Sequence, residues 1–101
     1  MIRDAKALEG AGADIVLLEC IPASLGKQLT EELQVPVIGI GAGPDTNGQI
    51  LVLYDVLDIT VGRKPRFSRN FVPGTNSPLE AIKAYVDAVK SRAYPGPEHC
   101  F

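Results

Sequence analysis

Ile15-Val16-Leu17-Leu18-Glu19-Cys20-Ile21-Pro22 is the stretch on which the reading of this fold turns. Four consecutive apolar residues lie between Gly10-Ala11-Gly12-Ala13-Asp14 and Pro22. That pattern reads as a strand covered on both faces, as in a parallel α/β sheet. In such folds the active site lies at the carboxyl ends of the strands. Glu19 stands at that end, where partial removal from water suits a carboxylate to proton transfer. The other reading is a strand-end acid that salt-bridges a loop arginine or faces solvent.

Before this stretch, residues 1–9 place Ile2, Ala5 and Leu8 about three apart, the stripe of a helix resting on a sheet. The small residues of 10–14 end it, and the strand runs from Ile15 to Glu19. Ser24 reads as the N-cap of a second helix, whose Leu25, Leu29 and Leu33 recur every fourth residue. Val35 to Gly41 reads as a second strand, with Pro36 tolerable near its start. This order predicts parallel strands joined by crossovers. Gln49 to Leu57 is apolar nearly all round and fits a buried helix or a strand, with a short helix preferred because Asp58-Ile59-Thr60-Val61 is the more strand-like third candidate. Ser77-Pro78-Leu79-Glu80 is a helix start with N-cap, N1 proline and capping-box acid. Its helix carries Ile82, Tyr85, Val86 and Val89 on one face and ends near Lys90 and Arg92. Residues 93–101 read as an irregular C-terminal tail.

With 101 residues there is room for one domain and one modest core. A 46% hydrophobic and 22% charged composition is that of a globular chain. A net charge of −2 gives no general attraction to nucleic acid or anionic membrane. No run approaches the roughly 18 apolar residues of a spanning helix. Met1 to Lys6 is charged from the start and lacks a signal-like apolar region. The two cysteines, Cys20 and Cys100, make no disulfide framework, so a reducing cytoplasm is the expected compartment.

Other candidate chemistry is weaker. Gly39-Ile40-Gly41-Ala42-Gly43 lacks the spacing of a dinucleotide fingerprint and reads as a turn or a site of close backbone approach. Arg63, Lys64, Arg66 and Arg69 with Phe67 and Phe71 superficially suit nucleic acid, but a solvated or subunit-contacting loop fits an acidic chain better. Asp45, Asp55 and Asp58 have no spacing that demands a cation. Cys20 reads as a buried small hydrophobe, and His99 as structural or solvated. With one histidine and no CxxC or HExxH spacing, a self-contained zinc site is not expected.

Several words occur in a specific order. Glu9-Gly10-Ala11-Gly12-Ala13 is followed by Leu17 to Pro22 and then by Val35-Pro36-Val37-Ile38-Gly39-Ile40-Gly41-Ala42-Gly43. Asp45-x-x-Gly48-Gln49-Ile50-Leu51-Val52, Pro65-Arg66-Phe67, Asn70-Phe71 and Tyr94-Pro95-Gly96-x-Glu98-His99 come next. The whole resembles the C-terminal part of the ketopantoate (3-methyl-2-oxobutanoate) hydroxymethyltransferase family. The resemblance implies an α/β fold, the C-terminal portion of a (β/α)8 TIM barrel of the phosphoenolpyruvate/pyruvate superfamily. About three parallel strands with flanking helices would then form a single incomplete domain over residues 1–101. It implies hydroxymethyl transfer from 5,10-methylenetetrahydrofolate to 2-oxoisovalerate, giving ketopantoate for pantothenate and coenzyme A.

In that family Mg2+ holds the 2-oxo acid, and a glutamate removes the proton beside the keto group; the matching residue here is Glu19. The family's magnesium-binding aspartates lie in earlier strands, so no metal ligand is expected in this chain, and the 101 residues alone are expected to be inactive. The resemblance further implies a cytoplasmic homo-oligomer whose partners are the small 2-oxo acid and the folate, with neither nucleic acid nor membrane. Two alternatives stand beside it: another 2-oxo-acid lyase or mutase of the superfamily, and a non-catalytic assembly piece with a bare strand edge.

Overall fold

The computed structural model describes all residues, 1–101. In chain order the elements are α1 (Ile2–Gly10), β1 (Val16–Glu19), α2 (Ala23–Glu32), β2 (Val37–Ile40), β3 (Gly48–Gln49), α3 (Leu53–Val56) and α4 (Pro78–Lys90), then a 3-10 turn over Pro97–His99. The strands form one parallel sheet in the order β1-β2-β3. Val16 pairs with Val37 and Glu19 with Ile40, while Ile38 pairs with Gly48.

The first crossover is the expected one, through α2. The second departs from expectation: β2 and β3 are joined by residues 41–47 with no helix. So short a return is possible because β3 has two residues and starts level with Ile38. Asn47 pins it, its side-chain oxygen accepting from the Val37 N–H at 2.8 Å and its own N–H donating to the Val37 carbonyl at 2.9 Å. The third strand is therefore not Asp58-Ile59-Thr60-Val61. That segment folds back on α3: the Ile59 N–H donates to the Tyr54 carbonyl at 2.9 Å, and the Thr60 hydroxyl donates to Asp55. Left-handed backbone at Asp58 (φ 56°) and Gly62 (φ 93°) interrupts an extended run at both ends. Of the helix expected over 49–57, only Leu53–Val56 forms.

Val16 and Leu18 point into the layer beneath α1 and α2, while Ile15 and Leu17 are 60% and 54% exposed. The strand is thus covered on one face within this chain, not on both. Ala5, Val16, Leu18, Ile21, Leu29, Leu33, Val37 and Ala42 make the sheet-side core. Leu8, expected on the buried stripe of α1, is exposed, and Glu9 anchors that helix instead. The Glu9 carboxylate accepts the Gln34 and Val35 N–H groups at 2.6 and 3.1 Å.

Leu29 in α2 and Leu33, the residue that caps its end, are buried as their spacing predicts. Pro22, not Ser24, is the N-cap, and no side chain caps the helix. The Pro22 carbonyl accepts from Leu25 and Gly26, which puts Ser24 inside the first turn.

A second core is separate from the first, where one had been expected. Val56, Phe71, Ala81 and Tyr94 form it, with Leu51, Leu57, Tyr85, Ala88 and Val89 packed around them. In α4, Ser77 caps as predicted, its hydroxyl accepting from the Glu80 N–H at 3.2 Å. The Glu80 carboxylate reaches back to Asn76, one residue before the cap. The buried face of α4 is Ala81, Tyr85, Ala88 and Val89, whereas Leu79, Ile82 and Val86 face outward. The tail is not irregular throughout: the 3-10 turn packs, with Tyr94 and His99 buried.

Candidate active site at the carboxyl end of β1

The ladder between β1 and β2 continues beyond Glu19: the Cys20 and Ile21 N–H groups donate to the Ile40 and Gly41 carbonyls at 2.9 and 3.1 Å. Cys20 takes a left-handed conformation (φ 52°), which turns the chain toward Pro22 and α2. Glu19 is therefore held through backbone paired with β2, on one edge of its strand. By strand alternation its side chain shares the outer sheet face with Leu17, away from Val16 and Leu18.

Glu19 is exposed, and no hydrogen bond or ion pair ties its carboxylate. The salt bridge to a loop arginine is thus not formed. Nor do these residues supply the partial removal from water expected of a strand-end acid, because nothing in the chain covers the outer face at this end. Cys20 is exposed too, contrary to its reading as a buried hydrophobe.

The glycine run after β2 makes close approaches. A β-carbon on Gly41 (φ 66°) would lie 2.8 Å from the Phe67 ring, and one on Gly43 (φ 83°) 2.5 Å from the Ala23 β-carbon. The loop thus presses between α2 and Phe67, which only glycine permits at these dihedrals. No helix opens from the glycines, so they form no dinucleotide cradle. The Gln49 amide donates to the Gly43 carbonyl and the Thr46 hydroxyl at 2.8 and 3.0 Å, locking the loop.

The basic segment divides. Arg63, Lys64 and Arg66, with Cys20, Pro65, Phe67 and Phe101, line an open cleft of about 430 Å³. Arg69 turns away and lies 4.6 Å over the Phe71 ring. Phe67 and Phe71 are buried, unlike aromatics offered to bases. Lys64 pairs with Asp58, and Arg66 lies 5.5 Å over the Phe101 ring.

The three candidate acids do not converge. Asp55 is buried against Thr60, Asp58 holds Lys64, and Asp45 is exposed. No three His, Cys, Asp or Glu side chains come together as a metal-binding group. His99 is structural: its Nδ1 accepts the Gly96 N–H at 2.9 Å, and its ring meets Tyr94 edge-on at 5.0 Å. The Tyr94 hydroxyl in turn donates to the Phe67 carbonyl, which fixes one wall of the cleft. Phe101 was missed as a cleft residue; no local pattern brings a C-terminal aromatic back to Cys20.

The fold and site define an α/β protein with a backbone-anchored acid at the carboxyl end of a parallel sheet, beside a cationic cleft. The profile of the ketopantoate hydroxymethyltransferase family matches residues 1–97. The chain is 59% identical to a 3-methyl-2-oxobutanoate hydroxymethyltransferase 2 of Hahella chejuensis, over 100% of this chain and 38% of that protein. It is 58% identical to the 3-methyl-2-oxobutanoate hydroxymethyltransferase of Alkalilimnicola ehrlichii and 57% to that of Marinobacter nauticus, over 100% of this chain and 36% and 38% of those proteins. This chain belongs to the ketopantoate hydroxymethyltransferase family. It spans less than two-fifths of the length of these curated relatives.

Proposed function

We propose that the chain is the C-terminal part of a (β/α)8 barrel that transfers a hydroxymethyl group from 5,10-methylenetetrahydrofolate to 2-oxoisovalerate, forming ketopantoate in the cytoplasm. Glu19 is the general base. The observation that carries this reading is its position: an uncommitted carboxylate at the carboxyl end of β1, held by the Cys20 and Ile21 ladder bonds. That is where α/β folds place reacting groups.

The Glu19 carboxylate takes the proton from the carbon adjacent to the keto group. The electron pair of that C–H bond becomes the enolate, which attacks the donor's one-carbon unit. The new C–C bond forms as one of the two C–N bonds holding that carbon breaks; water then replaces the second folate nitrogen, its oxygen becoming the hydroxyl and its proton passing to the departing nitrogen. A positioned base contributes about 10²–10⁴-fold to such a step.

The residues of this chain do not fit a magnesium site. No group of three potential ligands assembles, and the side chain next to Glu19 is a thiol, a poor partner for a hard cation. We assign the ligands of that ion to the remaining length of the enzyme. The outer sheet face supports the barrel reading, since exposed Ile15 and Leu17 leave an apolar surface for further strands to cover. An oligomer of complete subunits is part of the same proposal.

The test is a chimaera in which this chain replaces the matching segment of the Hahella chejuensis relative. Deuterium uptake at the carbon beside the keto group of 2-oxoisovalerate, followed by NMR, reads Glu19 without needing the folate. Glu19→Gln is expected to slow uptake about 10²–10⁴-fold. Unchanged uptake in that variant would remove Glu19 from the chemistry.

A further inference from the structure

The cationic cleft has no part in proton abstraction, and its composition identifies a ligand class. The chain has a net charge of −2 and ten Lys and Arg residues, three of which, Arg63, Lys64 and Arg66, line this one opening. Asp58 neutralises Lys64. The Arg66 guanidinium spends only its Nε, in a long 3.5 Å bond to the Glu98 carbonyl, and Arg63 makes no hydrogen bond or ion pair. Two guanidinium groups are therefore free to bind carboxylates, each able to present a bidentate fork.

The wall between them is apolar: Phe67 and Phe101 meet edge-on at 6.5 Å, and Tyr94 holds the Phe67 backbone in place. Cys20, one residue from Glu19, also lines the cleft. The cleft therefore opens at the same carboxyl end of β1 as that acid.

We propose that this cleft seats the carboxylate-bearing end of the one-carbon donor, the glutamyl chain of the folate, with Arg63 and Arg66 as its anchors. The inference rests on the reading of Glu19 given above and adds the place where the second substrate is held. Being open and solvated, the cleft contributes by charge more than by burial, so affinity rises with each added carboxylate and falls with salt.

Binding of tetrahydrofolate and its triglutamate to the full 101-residue chain, measured by calorimetry, tests it. The triglutamate is expected to bind about tenfold tighter, from two further carboxylates at exposed-pair strength. The paired change Arg63→Gln and Arg66→Gln should erase that difference. Arg63→Glu alone, at a side chain with no partner whose loss could unfold the protein, should reverse the preference. Equal affinities for the two folates, or a preference that survives these variants, would overturn the proposal. Displacement of the triglutamate by inorganic phosphate at equal concentration would reduce the cleft to a general anion sink and overturn the assigned ligand. Failure of the Glu19 reading shows separately, as loss of deuterium uptake dependence in the chimaera, and takes the ligand assignment with it.

Discussion

Replacing Gly26 by alanine should destabilise the chain although the position is helical. In a free helix this change is worth up to about 1 kcal/mol in favour of alanine. Here the new β-carbon would sit 2.4 Å from the Ala42 carbonyl oxygen, 3.4 Å from the Ala42 carbonyl carbon and 3.6 Å from the Ala42 β-carbon. Nonbonded contacts have their optimum at about 3.5 Å, so helix or loop must yield by about 1 Å. The obstacle is backbone. The loop is also tied on both sides of Ala42: the Gly41 carbonyl accepts from Ile21, and the Gly43 carbonyl from Gln49. Overpacking of this kind costs about 1–3 kcal/mol, and with a backbone obstacle the upper part of that range applies, which leaves a net loss of up to about 2 kcal/mol after the helix gain.

Urea unfolding followed by circular dichroism measures it, with a fall in midpoint of about 1 M expected at ordinary slopes. Gly10→Ala is the internal control. Gly10 is the last residue of α1, and a β-carbon there meets nothing within 4 Å. That variant should gain roughly 0.5 kcal/mol. If Gly26→Ala matched or exceeded the parent while Gly10→Ala behaved as described, the close seating of α2 on the glycine loop would be wrong.

Tyr94→Phe leaves the Phe67 carbonyl without its buried donor and should cost about 1–3 kcal/mol at neutral pH. Burial, then the neighbouring Tyr85 and Asp55, push the Tyr94 phenol far above its ordinary 10.0, against an opposing pull from Arg69. The protonated form is thus favoured by folding, so its contribution is complete below pH 10 and is lost as pH climbs from there toward the folded value. Urea midpoints measured across that range should fall less steeply in the variant, with a residual slope from Tyr85, which burial also raises. Ser77→Ala removes the α4 cap and should cost about 1 kcal/mol by the same unfolding assay. Cys20, exposed, should react with a thiol reagent at pH 8 well before Cys100, whose thiol burial pushes up; mass spectrometry of partially labelled protein reads the order.

Patterns carried by neighbouring residues were legible without coordinates. The apolar run into Glu19, the fourfold leucine spacing of α2, the second strand and the Ser77-Pro78 start of α4 all appear where their residues put them. Each depends on stereochemistry within one or two turns of chain. The third strand was not legible, because Gly48 and Gln49 carry no apolar alternation and are extended only by pairing with β2. Asp58 to Val61 misled for the opposite reason: its residues favour a strand, but bonds to Tyr54 and Asp55 bend it away from any partner. The outward face of α4 was misassigned because Ile82 and Val86 are as apolar as Tyr85 and Val89, and only packing chooses between them.

Residue order along the chain was enough for the parallel α/β class, the family, and the place of Glu19 at a strand end. What surrounds that acid is set by packing between distant segments. Such packing exposes Glu19 and Cys20, splits the basic run between a cleft and Phe71, divides the core in two and returns Phe101 to the mouth of the site. The reason is distance along the chain. Contacts between residues dozens of positions apart, such as Ala23 with Phe101 or Phe67 with Tyr94, depend on where loops return, and no local periodicity encodes that.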